Sequence, residues 1–392
     1  MTVIALLEDL GTAFADVMLS VETQGEHIVM PSTGDTRILP VELDASPTRL
    51  VRKFLRLSLA HAAGTFLVAG TVSHIRQLAM NLQRVESDPA SLDERYQRIL
   101  APEEPISIFH TGCVLTEEEG YADFELIGVL DGQMITRMHQ ASLRLDRSPY
   151  FGTLRTAGSG AIDLHAWLNS RGQQYDSLDL AQDCVATKME RSLHLIPSML
   201  LEEDTRTTFH TLKRGVGGYY ESYYIDGETL LLEPLDSVLT VFAAVVEGAG
   251  GPALELRRLF FHRYVDDWLV VASLFDLPAR LDLDTPLIAA LEDFTIFKIP
   301  PILDAAREPA MDAVELLAEV NACNYFRLTL YWDSMENGLT FHRFSEGPDL
   351  RRLLTCSLNP GDVRLAIDPV AFSYYLGRLE ASVGSEAIVT LS

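Results

Sequence analysis

The polarity pattern opens with a buried strand. Thr2-Val3-Ile4-Ala5-Leu6-Leu7 is almost wholly apolar, Glu8 to Gly11 form a polar turn, and a second strand ends at Ala15-Asp16. Residues 21 to 36 are polar and turn-rich, and Thr36-Arg37-Ile38-Leu39 resumes a short strand stopped by Pro40. The pattern over 48 to 61 fits either a helix or an insertion. Thr65 to Ala69 is a buried strand running into Gly70, after which Val72, Ile75, Ala79, Leu82 and Val85 recur at helical spacing. Residues 86 to 120 are acidic, carry prolines and hold one short strand at Ile106 to Phe109.

Phe124 to Val129, Asp131-Gly132 and Met134 to Met138 read as a hairpin, because Asp-Gly suits a two-residue turn with positive φ. Gly158-Ser159-Gly160 opens a helix bearing Ala161, Leu164 and Leu168. A longer helix follows, with Leu178, Ala181, Val185, Met189, Leu193 and Ile196 on one face. Gly215 to Gly218 leads into a hairpin over Tyr219 to Leu232. Gly248 to Pro252 reads as a linker. Beyond it come an apolar, strand-forming run from Leu256 to Phe275 and a helix around Leu287 to Phe294. Another helix around Met311 to Val320 precedes strands at Tyr325 to Trp332 and Leu339 to Phe344.

Composition narrows the classes. At 392 residues the chain is long enough for two or three domains, and 47% hydrophobic with 22% charged residues describes a globular protein, not a disordered one. No apolar run reaches the ~18 residues of a membrane span. Glu8 and Asp9 interrupt the first apolar stretch, which is therefore not read as a secretory signal. Four cysteines without a Cys-x-x-Cys pair fit free thiols in a reducing cytosol. A formal charge of −25 argues against nucleic acid or an anionic membrane as partner. The ten histidines show no metal spacing, so no metal is expected, and Gly215-Val216-Gly217-Gly218 is not a phosphate loop that would mark an organic cofactor.

The candidate chemistry lies at the start of the chain. A threonine next to the initiator methionine, an aspartate closing the adjoining strand and a Gly-Ser-Gly helix start together resemble the proteasome β-subunit and the bacterial proteasome-like peptidases, over about residues 2 to 235. These are N-terminal-nucleophile hydrolases. The resemblance implies an α+β fold, a four-layer αββα sandwich over residues 1–247, with residues 253–392 as a separate α+β domain of unknown role. It also implies a homo-oligomer acting on peptide or protein substrate, with an unfoldase or other protein partner docking through 253–392.

By the same resemblance Thr2 is the nucleophile once Met1 is removed. Its own α-amine, with an ordinary pKa of about 7.7–8.0, serves as base. Asp16 orients the nucleophile's surroundings, Gly70 donates a backbone N–H to the oxyanion, and Ser159 sits near the nucleophile. Ser159 also suits a helix N-cap, Gly70 a strand-to-helix turn and Asp16 an ordinary strand end. The family's lysine after the first hairpin is matched by Arg37, which supplies positive potential but cannot share a proton. Lys213 falls where the family has an aspartate before the Gly217-Gly218 pair. Either Lys213 takes over the lysine's electrostatic role from another strand, or the site is inactive. The chain is then a peptidase, a small-molecule amidase, or a silent scaffold presenting its C-terminal domain.

Tyr264-Val265-Asp266-Asp267 looks like the metal-binding hairpin of reverse-transcriptase palms. Without a further acidic ligand or a cationic template channel it reads as a strand-turn-strand with a solvated acidic tip.

Overall fold

The register of one short strand decides where the candidate residues meet. The structure, a computed structural model of the chain, describes residues 2–21, 29–32, 46–59, 62–73, 75–76, 80, 124–130, 133–137, 144–148, 152–165, 196, 199–200, 212, 216–248, 251–281, 286–303, 307–332, 338–344 and 354–382. Strand β1 (Ile4–Leu7) lies between β2 (Thr12–Asp16) and β10 (Gly152–Ala157), antiparallel to both. Ile4 faces Ala15 on one side and Ala157 on the other. The residues just before Ile4 therefore sit beside Asp16 and beside Gly158. β11 (Tyr220–Ile225) pairs with β2 so that Tyr220 faces Asp16, which brings Gly217 to Tyr219 to the same end. β12 (Leu232–Pro234) and β9 (Arg144–Ser148) complete a six-stranded sheet in the order β12-β11-β2-β1-β10-β9.

One face of that sheet is apolar through Ile4, Leu6, Ala13, Ala15, Ala157 and Tyr223. It is buried against Phe54, Leu67, Ala69, Ile127 and Val129 of a second antiparallel sheet. That sheet comprises β5 (Phe54–Leu59), β6 (Ala62–Gly70), β7 (Phe124–Leu130) and β8 (Gln133–Arg137). β3 (Met18–Val21) and β4 (Ser46–Leu50) form a separate two-stranded ribbon leading into β5.

The opposite face, with Val3, Ala5, Leu7 and Phe14, packs on helical residues Leu164, Ile196, Met199 and Leu200. It also packs on Phe242, Ala244, Phe260, Leu269 and Val271 of a third sheet. This sheet contains β13 (Val238–Gly248), β14 (Gly251–Val265), β15 (Trp268–Leu281), β17 (Thr295–Ile299), β18 (Tyr325–Trp332) and β19 (Gly338–Phe344). Its pairs are antiparallel except β13 with β18. Its far face is buried in turn, under a small sheet of β16 (Leu287–Ala290), β20 (Leu354–Asn359) and β21 (Asp362–Ile367) with helix α1 (Ala313–Ala318). A sheet covered on both faces needs apolar residues at successive positions, which explains the runs Val238 to Val246 and Leu269 to Leu274. Helix α2 (Pro369–Ser382) ends the described chain.

The expectation of an αββα sandwich joined to an α+β domain is overturned. Among the described residues the chain is mostly β, built of several antiparallel sheets, with twenty-one strands beside few and short helices. The physical reason is that a third sheet helps cover the apolar outer face of the first, where a helical layer was expected. Two local readings change as well. Leu287 to Phe294 is a strand followed by a 3-10 turn at Leu291–Asp293. The supposed linker falls where β13 and β14 stay paired out to Gly248 and Gly251. A boundary at 247 would thus divide the third sheet. The helices read over 72–85 and 178–196 and the strands at 36–39 and 106–109 lie wholly or mostly outside the described residues.

Candidate active site at the start of the chain

Thr2 is 5% exposed and is held by its backbone on two sides. Its N–H donates to the Ser159 hydroxyl at 3.1 Å, and its carbonyl accepts the Gly160 N–H at 2.9 Å. Ser159 itself is exposed, so the pair lies at the surface end of the strand. The turn that makes both contacts needs glycine. Gly158 has φ +89, and a Cβ there would come within 2.3 Å of the Thr2 carbonyl oxygen. Glu125, a buried carboxylate at the start of β7, accepts the Gly158 N–H and ties the turn to the second sheet.

Beneath Thr2 lies a buried ion pair. Asp16 Oδ1 accepts the Val3 N–H at 2.8 Å and also accepts from Lys53 Nζ. Asp16 Oδ2 accepts the Gly217 N–H at 3.0 Å, and Lys53 Nζ donates again to the Met18 carbonyl at 2.9 Å. Lys53 and Asp16 are 1% and 0% exposed, so each charge depends on the other and on these backbone partners. Burial pushes the Lys53 ammonium below the ordinary lysine value, with Asp16 and then Glu221 acting in the opposite direction. Lys53 is thus a cation whose proton is loosened by its surroundings, one carboxylate and one peptide away from Thr2.

Of the six residues singled out from sequence, the hydrogen bonds gather Thr2, Asp16 and Ser159. Gly70 is exposed at the end of β6 with φ +114 and pairs in register with Phe124. Arg37 and Lys213 lie outside the described residues. Among the described residues the cation on Asp16 is Lys53. Sequence reasoning also missed Glu125, Gly217 and Glu221. A signal existed for three of these: Lys53, Glu125 and Glu221 are each a charge adjoining apolar or aromatic residues. A charge there has to be paired once the segment is buried.

A second buried polar cluster adjoins the first. Arg52 Nε donates to Glu221 Oε1 at 2.7 Å, and Arg52 Nη1 donates to the Asp267 carbonyl. The Arg52 guanidinium lies 4.3 Å from the Tyr264 ring centroid, and the Tyr264 hydroxyl donates to Glu221 at 3.1 Å. Burial works against the Arg52 charge, but Glu221 and the neighbouring tyrosines outweigh it and hold the guanidinium above its ordinary range. His262 accepts the Tyr219 hydroxyl at Nδ1 (2.8 Å) and donates from Nε2 to the Leu235 carbonyl (3.0 Å), which assigns the Nε2–H tautomer. Burial, with the Arg327 and Arg52 cations, pushes His262 down to about 3 despite the Leu235 bond.

Asp266 and Asp267 both have positive φ, +48 and +66, and are exposed at the β14–β15 turn. They are turn residues of a hairpin with an exposed acidic tip. Among the described residues no group of three or more His, Cys, Asp or Glu side chains is placed to hold a metal ion. No helix among them is long and apolar enough to cross a membrane. Comparison with protein-family models, with curated proteins and with solved structures gives no match.

Proposed function

We propose that this chain is an N-terminal threonine hydrolase that cleaves acyl–amide bonds of a peptide or protein. The single observation that carries the reading is the Thr2 backbone nitrogen on Ser159 Oγ above the buried Lys53–Asp16 pair. Removal of Met1 would leave a primary amine where the Thr2 N–H now meets Ser159. That amine takes the proton from the Thr2 hydroxyl as Oγ1 attacks the substrate carbonyl. It returns the proton to the departing amine, leaving an ester on Oγ1. Water, deprotonated by the same amine, then releases the acid and restores the hydroxyl.

Lys53 biases this proton traffic by its positive potential, while Asp16 keeps Lys53 and the Val3 amide in place. In this reading Gly70, exposed at the end of β6, donates to the oxyanion. Self-association and delivery of substrate by a partner belong to the same proposal.

Turnover of fluorogenic peptide amides by the full-length protein tests it. Cleavage should disappear in Thr2→Ala and fall at least a hundredfold in Lys53→Met. Turnover confined to small acyl amides would assign an amidase at the same residues. Activity that survives Thr2→Ala would remove Thr2 from the chemistry.

A further inference from the structure

Arg52 and Lys53 are consecutive residues whose side chains serve different partners. Lys53 reaches Asp16 on β2, whereas Arg52 reaches Glu221 on β11 and the carbonyl of Asp267 at the tip of the β14–β15 hairpin. The carboxylates stand on adjacent strands, since Glu221 faces Ala15 and Tyr220 faces Asp16. Both ion pairs are almost completely buried, and the register turns their carboxylates to opposite faces of the sheet. The backbone between them is pinned at three points. Val51 N–H donates to Val17 O, Arg52 N–H to Pro300 O, and the Lys53 carbonyl accepts from Val68 N–H, each at 2.8 Å.

We propose that Arg52, gripped by Glu221 and by the Tyr264–Asp267 hairpin tip, is the positioning residue that sets Lys53 against Asp16. The third sheet is thereby a working part of the candidate site and not an appended module. Three contacts of Arg52 outside the first sheet, the Asp267 and Pro300 carbonyls and the Tyr264 ring, come from beyond residue 253. The planar guanidinium suits this role, because its fork can hold a carboxylate and a carbonyl at once while its face covers the Tyr264 ring. Lysine at the same place would keep the charge and lose the fork.

A catalytic use for Lys53 rests on the hydrolase reading; the dependence of Lys53 on Arg52 does not. The scarcity of lysine makes the dependence measurable, since Lys188, Lys213 and Lys298 serve as internal references in the same chain. The full-length protein is treated with an amine-reactive acetyl ester across a pH series, and acetylation at each lysine is read by peptide mass spectrometry.

Arg52→Met should raise acetylation of Lys53 relative to Lys298 at least tenfold, and Arg52→Lys, which keeps the charge without the fork, should leave it at least threefold above the natural protein. Among the described residues the carboxylates acting on Lys53 are Asp16 and Glu221. Glu221→Gln removes one of them, so it should raise relative labelling and move the pH midpoint of Lys53 acetylation downward. It also serves where Arg52→Met fails to fold. A relative rate within twofold of the natural protein in the folded variants overturns the proposal. If labelling responds as stated while the natural protein turns over no acyl amide, the hydrolase reading fails and the positioning role stands. If turnover is present, Arg52→Met should lower kcat at unchanged KM.

Discussion

Lys53 and the Val3 amide donate to one and the same oxygen, Asp16 Oδ1. The residue after the candidate nucleophile and the buried cation are thus linked through a single carboxylate. Removing the cation leaves that carboxylate buried with only backbone partners. Lys53→Met should cost about 3–5 kcal/mol, the usual penalty for breaking a buried ion pair. Urea unfolding of the variant against the natural protein reads this, and a loss under 1 kcal/mol would mean that the pair is open to water.

Gly158 makes a second prediction. Alanine there must take φ +89 and place its Cβ within 2.3 Å of the Thr2 carbonyl oxygen. Strain of about 1–2 kcal/mol is expected from the backbone alone, and the clash displaces Thr2 from Gly160. Gly158→Ala should lower the melting temperature and abolish turnover together. A variant of undiminished activity would show that the turn does not set the nucleophile.

His262 gives the acid limb of stability. Its folded-state value of about 3 lies below the ordinary 6.5, so between these values the unfolded chain binds the extra proton. Its contribution is fully present above pH 6.5 and is lost as pH falls toward 3. The slope from this one group is about 1.4 kcal/mol per pH unit at most. His262→Gln, which can still accept from Tyr219 and donate to Leu235, should flatten the curve by that amount between pH 4 and 6. Unfolding free energies measured across that range provide the check.

The Asp266-Asp267 turn predicts a gain. Both residues occupy the left-handed region, which asparagine and glycine adopt at less cost. Asp266→Asn with Asp267→Gly should stabilise by about 0.5–1 kcal/mol, while keeping the backbone carbonyl that Arg52 holds. Added magnesium or manganese should leave the natural protein's melting temperature unchanged. A clear rise that the double variant loses would restore a metal role to the two aspartates.

The strands that carry the candidate site were legible in sequence, because they are short and punctuated by turns. The strands over Thr2 to Leu7 and up to Asp16, and the Gly158-Ser159-Gly160 helix start, follow from local pattern, whereas their meeting at one site was expected only from the family resemblance. Lys53 was not legible in this way. Thirty-seven positions separate it from Asp16, and the chain passes through β3 and β4 between them. Arg37 was nominated by its place on the strand-like run after the first hairpin, whereas the Lys53–Asp16 pair depends on which sheet the returning segment joins. The small sheet that covers the third was misjudged for a related reason. Leu287 to Phe294 has apolar residues at helical intervals, but four paired residues and a 3-10 turn satisfy the same intervals. Short apolar runs do not distinguish the two states without their neighbours.

In the proposed hydrolase Thr2 presents a free amine beside its own hydroxyl. Mass spectrometry of the N-terminal peptide from natively purified protein tests it most directly. The account predicts a chain beginning at Thr2, with a β-lactone acylating that residue in the natural protein and not in Thr2→Ala. Quantitative retention of Met1 would contradict it and would leave the chain as a scaffold without this chemistry.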